Sequence, residues 1–94
     1  GFSMHIMPRN LDSSLVERGK ILKYPILDTP VLSVSILELS PNSKIKRHKH
    51  TRDREYYFFL NEKLLEVCST GNEHELENNS LDENLLVLSI KMVV

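Results

Sequence analysis

The feature that most constrains this chain is a rapid succession of short β-prone runs, broken by polar turns before any helical period can develop. From Val31 onward the apolar residues recur with a period of two. Leu32–Leu39 reads as a half-buried strand, with Leu32, Val34 and Ile36 on one face and Ser33 and Ser35 on the other. Ser40-Pro41-Asn42-Ser43 is a turn cluster in which Asn42 tolerates left-handed backbone. Residues 44–50 form a second strand, 51–54 a polar loop, and Glu55–Leu60 an aromatic strand. Residues 64–67, 74–78 and 85–92 follow as strands, separated by polar connections at 61–63, 69–72 and 79–84. Tyr24-Pro25 and Thr29-Pro30 favour extended chain ahead of them. The one helical signal is a short turn within residues 9–20, capped from Asp12-Ser13-Ser14 with Glu17 three residues after Ser14. Six or seven short strands with little helix predict an all-β fold, a small antiparallel barrel or sandwich.

Ninety-four residues predict one domain, placed at 9–94. Gly1 precedes two candidate start methionines, Met4 and Met7, so residues 1–8 are expected to be a leading segment and in part a cloning remnant. A core this small is marginally stable alone, which makes a homodimer the expected state. The net charge of −1 argues against nucleic acid as partner. Tyr56–Leu60 and Leu85–Leu88 are the longest apolar stretches, too short to span a membrane. A single cysteine, Cys68, and no signal-like opening predict the reducing cytoplasm. Cys68 itself reads as a small buried residue, with a minor claim as a ligand.

Charge is segregated. Six Lys and Arg residues lie between Lys44 and Arg54 against one acid, Asp53, whereas residues 55–83 hold eight acids and one Lys. Two readings stand at this point: solvated surfaces that attract each other, within the domain or across a dimer, or a basic rim that draws an anion to a pocket.

His48 and His50 form an H-x-H, and on a strand both imidazoles share a face, as two ligands of one metal would. Two exposed histidines are the alternative. Glu55 heads the following strand, where a carboxylate can complete the set if the two strands pair. Farther on, His74 shares a face with Leu76 and Asn78, while Glu73, Glu75 and Glu77 take the solvent side, so His74 points inward.

His48-x-His50-x4-Glu55 followed by Gly71-x2-His74-x3-Asn78 resembles the two motifs of the cupin superfamily, G-x5-H-x-H-x3,4-E-x6-G and G-x5-P-x-G-x2-H-x3-N. The resemblance covers about residues 31–92. Asn42 and Glu62 stand at the first motif's glycines, Lys63 and Ser69 at the second's first glycine and proline. Glu55 and His74 are only 19 residues apart, where cupins place a whole hairpin between the motifs. Either that hairpin is shortened, or residues 64–77 are the hairpin and the second motif is absent; the first keeps His74, Asn78 and the last strand in register.

The resemblance implies a cupin jelly-roll reduced in strand number, with His48, His50, Glu55 and His74 holding a divalent transition metal. Three nitrogens and one oxygen suit Zn, Fe, Ni, Mn or Co alike. The family hosts dioxygenases, isomerases, decarboxylases, storage proteins and sensors, so fold does not choose a reaction. Three roles stand: a metal-dependent enzyme on a small anionic or partly apolar molecule, a non-catalytic metabolite-binding or sensing module, and a metal-free scaffold subunit. The pocket is expected between Lys46 at its mouth, on the H-x-H face, and Tyr57 and Phe59, which share Glu55's face. Such a pocket would be mostly apolar and would favour a flat or short apolar acid. Tyr56 and Phe58 are expected in an outer core or a dimer seam.

Overall fold

The strand Leu32–Leu39 organises the molecule, because both of its faces carry apolar residues and both of its edges are paired. The structure, a computed structural model, describes residues 6–49, 52–60, 65–68 and 73–93. In chain order the elements are β1 (Arg9–Asn10), a 3-10 turn (Ser13–Leu15), β2 (Val16–Arg18), β3 (Ile21–Asp28), β4 (Leu32–Leu39), β5 (Lys44–Lys49), β6 (Asp53–Phe59), β7 (Leu65–Cys68), β8 (Glu73–Glu77) and β9 (Leu85–Val93). They form two antiparallel sheets, ordered β1-β3-β4-β9-β6-β7 and β2-β5-β8. The two sheets make a sandwich that is not closed into a barrel. Among the described residues no helix is long and apolar enough to cross a membrane.

The strands expected from Leu32 onward are all present. Strand β3 was read only as extended chain, since proline is rare inside strands. Partner β1 reaches only Leu22 and Lys23, so at Pro25 β3 is an edge strand, where proline is tolerated, and the register slips there. The short helical turn is real: Asp12 caps it, accepting from the Ser14 amide at 3.0 Å and the Ser14 hydroxyl at 2.9 Å.

The two faces of β4 are grouped as expected, and the buried one is the face that carries the serines. The core face of β4 carries Ser35, Leu37 and Leu39, and that of β9 carries Leu85, Val87 and Ser89. Leu32, Val34 and Ile36 point to the outer face and are only partly covered. Alternation cannot rank the faces of a strand that is apolar on both, and serines on the inner face made it look like the solvent side. The inner core joins Ile21, Leu37, Leu39, Leu85 and Val87 of the large sheet to Ile45 and Leu76 of the small one. Leu11, Val16 and Phe59 pack around it.

The segregated charges meet inside the chain. Basic β5 pairs with acidic β8, and Lys44 Nζ lies 3.4 Å from both Glu75 and Glu17. Arg18 bridges to Glu77 and to the carbonyl of Asn42. Asn42 adopts φ 59°, the left-handed turn expected of it.

Gly19, with φ +81°, lies against the same turn. A Cβ there would stand 2.5 Å from Ser43 Cβ and 2.8 Å from Ser43 Cα, the latter a backbone atom that cannot swing aside. Gly19→Ala therefore combines left-handed strain with overpacking and is expected to cost about 2–4 kcal/mol. Urea unfolding measures this; a loss below about 1 kcal/mol would mean that the turn yields freely.

Candidate metal centre

Strand β5 delivers its histidine through a bulge. Ile45 faces Leu76 and His48 faces His74, so three steps along β5 match two along β8. The extra residue lets Ile45 and His48, an odd number apart, both turn inward. It also turns Lys46 and Arg47 to the surface, so Lys46 does not share the inward face or line the pocket as expected. The bulge contributes differently: the Lys46 carbonyl lies 2.7 Å from His48 Nδ1. A carbonyl can only accept, so Nδ1 carries the proton and Nε2 keeps the lone pair a metal would use.

Strand β8 brings His74 directly opposite His48, their ring centroids 4.2 Å apart and edge to face. His74 is buried with Leu76 and Asn78, while Glu75 is exposed, as the alternation indicates. Because β8 pairs with β5 and β7 with β6, residues 64–77 are not a hairpin. The reading that dispensed with the second motif is thereby overturned.

Glu55 arrives from the other sheet. Strands β5 and β6 do not pair, contrary to expectation: β6 lies between β7 and β9, and its Glu55 meets the histidines across the sandwich. The carboxylate is 5% exposed. Oε1 accepts from the Tyr57 hydroxyl at 2.8 Å and Oε2 from the Ser89 hydroxyl at 2.8 Å. His74 Nε2 lies 3.3 Å from Oε1. Ligand atoms of His48, Glu55 and His74 all fall within 4.8 Å of one another. Ligands about 2.0–2.2 Å from a metal can be no more than ~4.4 Å apart, so modest closure brings all three onto one ion. Two imidazoles and a carboxylate are donors suited to a borderline divalent metal, and the set fits one. His50, the fourth expected ligand, lies outside the described residues, as does the side chain of Cys68.

Beside the cluster is a cavity of about 60 Å³, which His48, Glu55 and Tyr57 help to line. Tyr57 is 2% exposed and lines this cavity. Phe59 does not line it: one step further along β6, it is only partly buried and packs against the core. Tyr56 is half-buried and Phe58 is 38% exposed, both on the outer face of the large sheet.

The cavity is mostly apolar, as expected, but its polar groups are not confined to the metal end and a Lys46 mouth. It is also lined by Lys23 and Lys91 and by Ser33, Ser35 and Ser89 of the large sheet, with Ser89 and Lys91 next to Glu55. None of these was singled out from sequence. The available signal was a lysine in step with Val87 and Ser89 on an otherwise apolar strand, and two serines in step with Leu37 and Leu39. Burial holds the Lys23 ammonium below its usual pKa, and the charges of Lys91 and Arg9 depress it further against the pull of Asp28 and Glu55.

No protein-family model matches this sequence, and no curated protein does. Solved structures do match. A predicted oxalate decarboxylase from Thermotoga maritima superposes with a TM-score of 0.78 at 18% identity, over 96% of this chain and 95% of that one. The cupin domain of Cnp3 from Schizosaccharomyces pombe gives 0.73 at 7% identity, over 87% and 70%. KdgF from a Halomonas species gives 0.67 at 15% identity, over 92% and 87%. Identities this low establish the fold alone, and that fold is the cupin sandwich.

Proposed function

We propose that this chain is a metal-dependent cupin enzyme acting on a small anionic or partly apolar molecule. His48, Glu55 and His74, with His50 as a fourth donor, would hold one Zn, Fe, Ni, Mn or Co ion at the cavity wall. The observation that carries the reading is the convergence of His48, Glu55 and His74 from three strands and both sheets, beside a cavity that His48 and Glu55 line. Such an ion, when bound, supplies Lewis acidity to a substrate oxygen.

The chain's own residues prepare that site. Tyr57 and Ser89 hold the Glu55 carboxylate in one orientation, and the Lys46 carbonyl fixes the His48 tautomer. Leu11, Leu15, Leu37 and Ile45 form the apolar part of the wall and limit the water around the reacting groups. A sensing module is the second reading. It is favoured by the small cavity and by the engagement of the Tyr57 hydroxyl with Glu55, which leaves that phenol less suited to proton transfer.

The proposal includes a cytoplasmic homodimer. Its support is the lone Cys68 and the apolar outer face of the large sheet, where Ile26 and Met92 are 45% and 42% exposed.

Elemental analysis of the purified protein tests the metal. About one transition-metal equivalent per chain is expected, and chelation should lower the thermal midpoint because the ion binds only the folded state. Protein that cannot be loaded with any of the five metals would overturn the reading.

A further inference from the structure

The two lysines that line the cavity on the large sheet are not explained by the metal cluster. On β4, Lys23 stands opposite Leu37 and Lys91 opposite Ser33, so the two flank the strand diagonally with Ser35 midway between them. Both line the cavity, and the small side chains of Ser33 and Ser35 leave open floor between the lysine stems. The ammoniums are close enough for Lys91 to depress the pKa of Lys23. Neither forms a hydrogen bond or ion pair with any described residue. Glu55, directly across from Lys91 on β6, accepts from Tyr57 and Ser89, touches His74 and also attracts the Lys23 ammonium.

Two part-buried cations share this cavity with one carboxylate, that of Glu55, so a positive excess remains for a further anion to offset. A divalent metal on His48, Glu55 and His74 would deepen that excess. The available volume is small, and Leu11, Leu15 and Leu37 offer apolar contact for a carbon skeleton.

We propose that Lys23 and Lys91, over the serine floor of β4, form a subsite for the carboxylate of a short organic acid. The inference rests on the reading of this cavity as a ligand pocket, and it deepens that reading by naming the class of ligand. One carboxylate oxygen faces each ammonium, while the other end of the acid reaches toward the histidine wall. This recognition lies on the large sheet, opposite the exposed Lys46 and Arg47.

The probe is malonate, with malonamide as its uncharged isostere and inorganic phosphate as a competing oxyanion, titrated calorimetrically at constant ionic strength. Malonate should bind, malonamide should not, and phosphate should bind more weakly. Lys23→Met and Lys91→Met keep the aliphatic stems. Each should weaken malonate by about tenfold or more, as the loss of one charge-assisted hydrogen bond requires. The double variant should lose binding while its metal content stays at the parental level. A measurement on the unaltered chain supplements this: after reductive 13C-methylation, malonate should shift the Lys23 and Lys91 signals. The subsite is refuted if the double variant binds malonate like the parent, if malonamide binds equally well, if phosphate binds more tightly, or if neither lysine signal moves. Absence of metal from the parent overturns the metal reading alone, because the lysine dependence can be read equally in metal-free protein.

Discussion

Alanine at both His48 and His74 is expected to abolish transition-metal binding, lowering affinity by far more than the ~10–100-fold typical of losing a group that merely orients a ligand. The two imidazoles come from paired strands and stand directly opposite each other, so removing both leaves Glu55 as the only donor of the described cluster. Glu55, even with the proposed donor His50, offers two ligands where a tight transition-metal site needs at least three. Fold should survive. Strands β5 and β8 remain joined by their ladder, by Ile45 against Leu76 and by the Lys44 ion pair with Glu75. Thermal unfolding of the variant should show a midpoint that no longer responds to chelator. Ser89→Ala provides the graded comparison: it removes one hydrogen bond to Glu55 and should weaken the metal within the 10–100-fold range. Undiminished metal in the double variant, by elemental analysis, would sink the assignment of the centre.

Asn78→Leu is expected to be the most destabilising single substitution in the chain, at about 3–5 kcal/mol. The Asn78 amide nitrogen donates to the carbonyls of Leu39 at 3.0 Å, Ser40 at 3.1 Å and Glu83 at 2.8 Å. Its oxygen accepts from the Ser80 amide at 3.0 Å, and its own backbone amide bonds Ser43. One buried side chain thus ties the end of β4 and the β4–β5 turn to the segment leading into β9. Leucine has similar volume but removes the two N–H donors those carbonyls share and the acceptor of the Ser80 amide. The Ser40 carbonyl keeps its bonds from the Ser43 amide and hydroxyl, while the groups left unpaired cost about 1–2 kcal/mol each. For a domain of this size the midpoint should fall by at least ~12 °C. Asn78→Asp should do no better, since it sets a carboxylate against three carbonyl oxygens. The motif asparagine is therefore a structural clamp, and the folded fraction of either variant should still bind metal. A loss under about 1 kcal/mol by chemical denaturation would show that water or a shifted neighbour replaces the clamp.

Much of the candidate site was legible before any coordinates. Glu55 and Tyr57 share an inward face because they are two apart on one strand, and His74 turns inward because three glutamates claim the other side of its strand. Other expectations failed where local pattern was ambiguous. Lys46 shares parity with His48, but the β5 bulge between Ile45 and His48 breaks that parity. Phe59 shares parity with Tyr57 yet lies one step past the cavity, and parity says nothing about position along the sandwich.

The sequence alone determined the strand spans from Leu32 onward, the left-handed turn at Asn42 and the inward faces of Glu55 and His74. Those follow from side-chain alternation and turn chemistry, which act over a few residues. Tertiary structure alone decided that β5 and β6 lie in different sheets, so that His48 and Glu55 meet across the sandwich. It also decided that β4 and β9 turn their serines inward, and that Lys23 and Lys91 line the same cavity as His48 and Glu55. The physical reason is that partner choice and the buried face are set by how two apolar sheets pack against each other. That packing is summed over strands far apart in the chain, and a strand apolar on both sides does not reveal it.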